Sequence, residues 1–159
     1  MTKRSGQFLV ELLVALGILT TGFMAMLGLL SRSIGLSRVV SDDYVATYLA
    51  SEGIEVAKNI LDANARRPGV GWNDGFADGV YEVSYDSAEL TSRVPAQALT
   101  FDGVHYRYGE GSPTPFHRKV VIKLVGGDEV QMNSIVDWSS RGRTAQVNLE
   151  AHFFNWQSR

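Results

Sequence analysis

Glu11 is the only ionisable residue between Arg4 and Arg32, and it lies in an apolar run that opens at Gly6-Gln7-Phe8-Leu9-Val10-Glu11-Leu12-Leu13-Val14-Ala15-Leu16 and lasts to Leu30. A run of this length can cross a bilayer as one helix. An acid at the bilayer centre costs about 2.5–3.5 kcal/mol on insertion scales, and less toward the end where Glu11 sits, so its presence asks for a function. The rest of the sequence must supply its partner. Other candidates are weaker. Asn73, Asp74, Asp78 and Asp86 carry oxygen ligands, but without the EF-hand order they read as turn residues of a glycine-rich loop. His105, His117 and His152 fall on separate predicted strands. No nucleophile elbow, phosphate loop or His-Glu-x-x-His motif occurs, and the chain has no cysteine for a disulfide or thiolate site. The sequence therefore predicts no enzyme, no metal and no cofactor.

The remaining charge is ordinary. With 15 basic and 17 acidic residues the net charge is −2, which gives no general field for polyanions. Arg66, Arg67, Arg118, Lys119, Arg141 and Arg143 read as turn and surface charge, with DNA contact as the alternative. Glu52 and Glu55 read as a solvated helix face, and Trp72, Trp138 and Trp156 as core or interface anchors.

These residues need elements to hold them. The apolar run exceeds the 7–15 residue core of a secretory signal and ends in no Ala-x-Ala-like site, so a retained membrane helix is expected. Lys3 and Arg4 before it match Arg32 and Arg38 after it, which leaves orientation open. Ile34 to Ala65 has no proline, and Gly35 and Gly53 each cost a helix about 1 kcal/mol without ending it. Val45, Leu49, Gly53, Val56 and Ile60 recur at helical spacing, with Tyr48 and Glu52 beside them. Arg38 with Asp42, Glu55 with Lys58 and Lys58 with Asp62 add favourable charge pairs. Arg66-Arg67-Pro68-Gly69 stops the helix.

Past a glycine-rich loop, from Gly69 to Gly79, the period changes to two. Strands are predicted at Val80–Tyr85, at Leu99–Tyr108 as a hairpin whose Asp102-Gly103 suits a type I′ turn, at Phe116–Val125, at Glu129–Trp138 and at Ala145–Trp156. A connection is predicted over Gly109 to Pro115. Val120, Ile122 and Leu124 share one face, as do Val130, Met132, Val136 and Trp138, and then Val147, Leu149, Ala151 and Phe153. The expectation is an α+β chain, one long N-terminal helix packed on a small antiparallel meander. Its segments are 1–6, an apolar 7–30, an amphipathic 31–67 and a globular 68–159.

The stretch from Gly6 to Leu16 resembles the class III signal of the type IV pilin superfamily, in which a short basic leader ends in Gly before an apolar helix. The resemblance implies cleavage after Gly6 by a prepilin peptidase and N-methylation of the new first residue, Gln7, with Phe8 behind it. Glu11 takes the place of the family's fifth mature residue, whose carboxylate neutralises the N-terminal ammonium of a neighbouring subunit. Two charges unfavourable singly in an apolar bundle offset one another when paired. Where many major pilins carry a helix-breaking proline, this chain has Gly22 and Gly28, the implied points of helix flexibility. Leu49-Ala50-Ser51-Glu52-Gly53-Ile54-Glu55-Val56-Ala57-Lys58, with the closing segment from Val147 to Trp156, is similar to minor pilins of the PilV kind and to secretion pseudopilins.

The resemblance thus implies a pilin-like fold and a minor pilin of a type IV pilus. The alternatives are a type II secretion pseudopilin or a membrane-anchored binding module that never polymerises. Implied partners are other pilin subunits in a helical filament, the prepilin peptidase, the inner-membrane assembly platform and the membrane, with DNA or a surface ligand beyond these. Implied locations are a single-pass membrane state with the sheet domain outside the cytoplasm, then an extracellular, adhesive fimbrium on the cell surface. Losing Lys3 and Arg4 takes the net charge from −2 to −4.

Overall fold

The computed structural model describes residues 3–92, 97–140 and 142–156, with side chains from Gly6 onward. Arg141 lies outside them, as do the side chains of Lys3 and Arg4. Helix α1 spans Lys3–Ala65, and the chain divides into two units, Met1–Asp42 and Asp43–Arg159. In the first unit every residue from Gly6 to Ile34 is exposed. The Thr20 and Thr21 hydroxyls within this apolar stretch donate back to the Leu16 and Gly17 carbonyls at 2.9 Å each. Such back-bonding leaves no polar side chain there except Glu11 and Gln7 needing an outside partner before Ser31.

In the second unit α1 turns one stripe inward. Ala46, Leu49, Ala50, Gly53, Val56, Ala57 and Leu61 are buried. Four of these seven are Ala or Gly, so the helix backbone can approach the sheet closely. Lys58 pairs with Asp62 across one turn. Asn64 fixes the end: its amide donates to the Asp74 carbonyl at 2.6 Å, and its carbonyl accepts the Arg67 N–H at 3.0 Å. Gly69 then takes a φ of 80°, in the left-handed region where glycine is unstrained.

Among the described residues seven antiparallel strands follow: β1 (Gly79–Glu82), β2 (Thr91–Ser92), β3 (Ala98–Phe101), β4 (Tyr106–Arg107), β5 (Ser112–Val125), β6 (Glu129–Ser140) and β7 (Arg143–Phe154). β5 is central. One edge pairs with β6 from Phe116↔Trp138 to Val125↔Glu129. The other edge is shared, β1 pairing at Val120 to Ile122 and β3 at Ser112 to His117. β2 adds to β1, and β4 to β3.

The expected meander is therefore present only in β5-β6-β7. The connection predicted over Gly109 to Pro115 is shorter, because β5 begins at Ser112 and β3 pairs with its first residues. Two-residue β2 carries too little pattern to be seen in the sequence. Asp102-Gly103 is not a two-residue turn. Phe101 pairs with Tyr106, leaving a four-residue loop in which Asp102 Oδ1 accepts the Val104 and His105 N–H groups at 2.8 Å each. Those two bonds, His105's first, hold the Asp102 carboxyl below its usual range. Local capping by Asp competes with the I′ geometry and prevails here.

The core divides into two clusters. One gathers Val56, Ala57, Leu61, Phe76, Val83, Val120, Ile122, Val130 and Met132; the other gathers Ala46, Leu49, Ala50, Leu99, Phe116, Val136 and Trp138. Trp72 packs on the first, while Trp156 is 77% exposed and anchors nothing in this core. The far face of the sheet is polar. Lys119 meets Asp137 at 3.5 Å, and His152 lies between Glu129 at 2.5 Å and Glu150 at 2.9 Å. Those two carboxylates, Glu129 first, raise the His152 pKa.

Candidate functional site: an apolar helix and a buried arginine

Two features stand out, one in each unit. The first is the helix carrying Gly6, Gln7, Phe8 and Glu11. Gln7 and Glu11 are four residues apart and so share a helix face. Phe8 is 72% exposed, and no cation among the described residues lies within ion-pair distance of Glu11. Gly22 and Gly28 lie inside the unbroken helix, and a Cβ at either would meet nothing within 4 Å. Apolar surface this continuous is rare on a monomeric soluble protein and marks contact with lipid or other protein. Among the described residues one helix is long and apolar enough to cross a membrane.

The second feature corrects the sequence reading of Arg118 as surface charge. Its side chain is fully buried, on the core face of β5 between Phe116 and Val120. Arg118 Nη1 donates to the Leu49 carbonyl at 3.0 Å and to Glu52 Oε1 at 3.1 Å, and Nη2 donates to the Val83 carbonyl at 2.5 Å. Glu52 is thus an internal partner with its side chain 33% exposed, not a freely solvated acid, while Glu55 is exposed as expected. The Arg118 carbonyl accepts the Tyr108 hydroxyl at 2.9 Å, and burial pushes the Tyr108 pKa up to about 12 against the opposing pull of the guanidinium. Nearby, buried Glu82 accepts the Gln97 N–H at 2.7 Å, tying the end of β1 to the approach of β3. The cluster fastens helix, β1 and β5 together; its cation is enclosed and reaches no solvent-facing substrate.

The cluster also explains Gly53. A Cβ there would lie 2.4 Å from Ser134 Oγ and 3.2 Å from Arg118 Cδ, so glycine makes room for the guanidinium stem under the helix. Gly53→Ala should therefore lower stability by about 1–3 kcal/mol from overpacking, although helix propensity alone predicts a gain of about 1 kcal/mol. Adding Ser134→Ala removes the closest atom and should recover most of the loss. Thermal unfolding of the two variants checks this, and a Gly53→Ala chain more stable than wild type would contradict it. The signal for all three residues is in the sequence: Arg118 has the strand parity of Phe116 and Val120, and small Gly53 and Ser134 interrupt otherwise apolar rows.

Elsewhere the structure disperses the sequence candidates. Asp78 accepts the Leu124 N–H at 2.7 Å, joining the glycine-rich loop to β5. His105 stacks on Tyr85 at 4.2 Å, far in sequence from His152 on β7. Arg66, Arg67 and Arg143 are exposed.

Compared with known proteins, the chain matches no family model, no curated protein and no solved structure. What fold and site define is a class: an α+β chain with a long apolar N-terminal helix and an antiparallel sheet. That class is compatible with a pilin-like fold and with a single-pass membrane anchor.

Proposed function

We propose that the chain is a minor pilin, a structural subunit of a type IV pilus released after Gly6 by prepilin peptidase and assembled through its apolar helix. One observation carries this reading: from Gly6 to Leu30 the helix exposes its whole apolar surface around a single acid, Glu11. A membrane anchor needs the apolar surface but has no use for the acid, whose burial in lipid is unfavourable. A bundle of such helices, each carrying the acid and a free N-terminus, uses both. Cleavage after Gly6 creates an ammonium at Gln7, and Glu11 of a neighbour neutralises it when the two helices are in register. Before assembly the helix holds the subunit in the inner membrane with the sheet domain outside; the assembly platform then transfers it to the filament.

Processing is the first test. Intact mass of the chain from cells with an active prepilin peptidase should correspond to a first residue at Gln7. A chain that keeps Lys3 and Arg4 in such cells refutes the proposal.

A further inference from the structure

The two ends of the sheet carry features that fit one another. At one end the β3–β4 loop, 102–105, is held by the two N–H groups that Asp102 Oδ1 accepts and by the His105 ring, stacked on Tyr85 at 4.2 Å. Its tip is Val104, which is 75% exposed and belongs to neither core cluster. A fixed loop that presents an apolar side chain to solvent serves no internal packing and loses little entropy when it docks. At the other end, where α1 finishes beside the last residues of β7, lies an open groove of about 510 Å³. Leu61, Trp72, Phe153, Phe154 and Trp156 line it, with Phe154 60% and Trp156 77% exposed. Aromatic surface this open marks a contact site.

We infer that the 102–105 loop of one copy of this chain seats Val104 in the groove of the next copy. Charge and position select that occupant. On the loop side Asp102 and Glu110 outnumber Arg107, with Glu110 held beside β3 by the bond from the Thr100 hydroxyl to its carbonyl at 3.0 Å. On the groove side Lys58 and Arg66 outnumber Asp62; Lys58 is paired with Asp62, and exposed Arg66 has no ion-pair partner among the described residues. The loop side thus has one negative charge in excess and the groove side one positive, so the two surfaces attract when copies meet.

Position decides the kind of assembly. β3 runs toward the start of β5, with Phe101 opposite Ser112, whereas Phe154 of β7 lies opposite Glu129, which lies opposite Val125 at the end of β5. Loop and groove are therefore separated by the length of β5, about 45 Å, and by the strand spacings from β4 through β3, β5 and β6 to β7, about 19 Å. They occupy diagonal corners of the 43–159 unit. A surface that meets a different surface makes a heterologous contact, which repeats instead of closing. Placing one corner on the opposite corner needs a shift and no inversion, so the apolar helices of successive copies point the same way, as a shared bundle requires. The inference goes beyond the filament reading, because it makes copies of this chain adjoin one another.

The chain has no native cysteine, so disulfide trapping reports the contact directly. One loop in one groove buries under about 1,000 Å², in the weak range that trapping suits. Full-length Val104→Cys chain is mixed in detergent micelles with a size-tagged chain carrying Ala65→Cys or Phe154→Cys, both in the groove, and oxidised mildly. His117→Cys, exposed on β5, replaces Val104→Cys in the control. At least one mixture should give mixed dimer at ten times the control level or more, and Arg66→Glu on the groove chain should cut that yield at least threefold. A chain with both Val104→Cys and the trapping groove cysteine should form a ladder past the dimer, since the two sites are too far apart to close within one chain. Both mixtures at or below the control level overturn the contact, as does a trapped yield that Arg66→Glu leaves unchanged; a ladder that stops at the dimer overturns its head-to-tail form. Ala65, Val104 and His117 are exposed, so cysteine there leaves the core intact. The result is independent of processing at Gly6, because an unprocessed chain carries the same loop and groove.

Discussion

Arg118→Ala is expected to destabilise the 43–159 unit by about 3–5 kcal/mol, the range for breaking one side of a buried ion pair, and to lower its midpoint of thermal unfolding by on the order of 10–20 °C. Three losses add up. The Leu49 and Val83 carbonyls lose their guanidinium donors, at 3.0 and 2.5 Å, in a buried site. Glu52 loses its cation, although solvent reaching a third of its side chain softens that loss. A cavity opens beside Gly53, where the Arg118 stem lay. Arg118→Met refills much of the volume without the donors, so it should fall between wild type and alanine and separate the packing loss from the polar loss. Differential scanning calorimetry of the full-length chain in detergent reads both. An alanine variant melting within about 3 °C of wild type, under one kcal/mol on the same scale, would show that the enclosed cation is incidental.

Glu11→Ala should have the largest effect on function and almost none on folding. Glu11 has no ion-pair partner among the described residues and lies in the unit that contributes nothing to the sheet's core. Removing an acid from a membrane helix makes insertion more favourable, so membrane levels should equal wild type or exceed it. Incorporation into filaments should be abolished, because the N-terminal ammonium of the adjoining subunit would face the altered helix in an apolar bundle with no counter-charge. Losing about 3 kcal/mol of pairing is already more than a hundredfold in an equilibrium. Fractionation followed by immunoblotting tests both halves at once. Incorporation at wild-type level would refute the pairing role, and loss from the membrane would point to a defect in insertion instead.

How much could be read in advance depended on whether the determining interaction was local. The helix, its stop at Arg66-Arg67-Pro68-Gly69 and the faces of β5, β6 and β7 follow from periodicity and turn chemistry, which act over a few residues, and they stand in the structure where expected. Arg118 departs from the expectation of surface charge because a charged side chain is normally exposed. Its partner Glu52 is 66 residues away, a distance at which no pattern in the sequence links them. The same holds for the division of one β5 edge between β1 and β3, since alternation fixes faces and leaves neighbours open. Asp102-Gly103 shows a different failure, two local rules in competition. Gly6, Gln7 and Glu11 owe their proposed roles to the resemblance; the structure contributes the exposure of the helix around them.

The central claim is that this exposed helix becomes the core of a filament, and composition of the filament tests it most directly. Surface filaments sheared from cells and purified should contain this chain, with an intact mass that begins at Gln7. Finding it only in the inner membrane of cells that do assemble filaments would contradict the account.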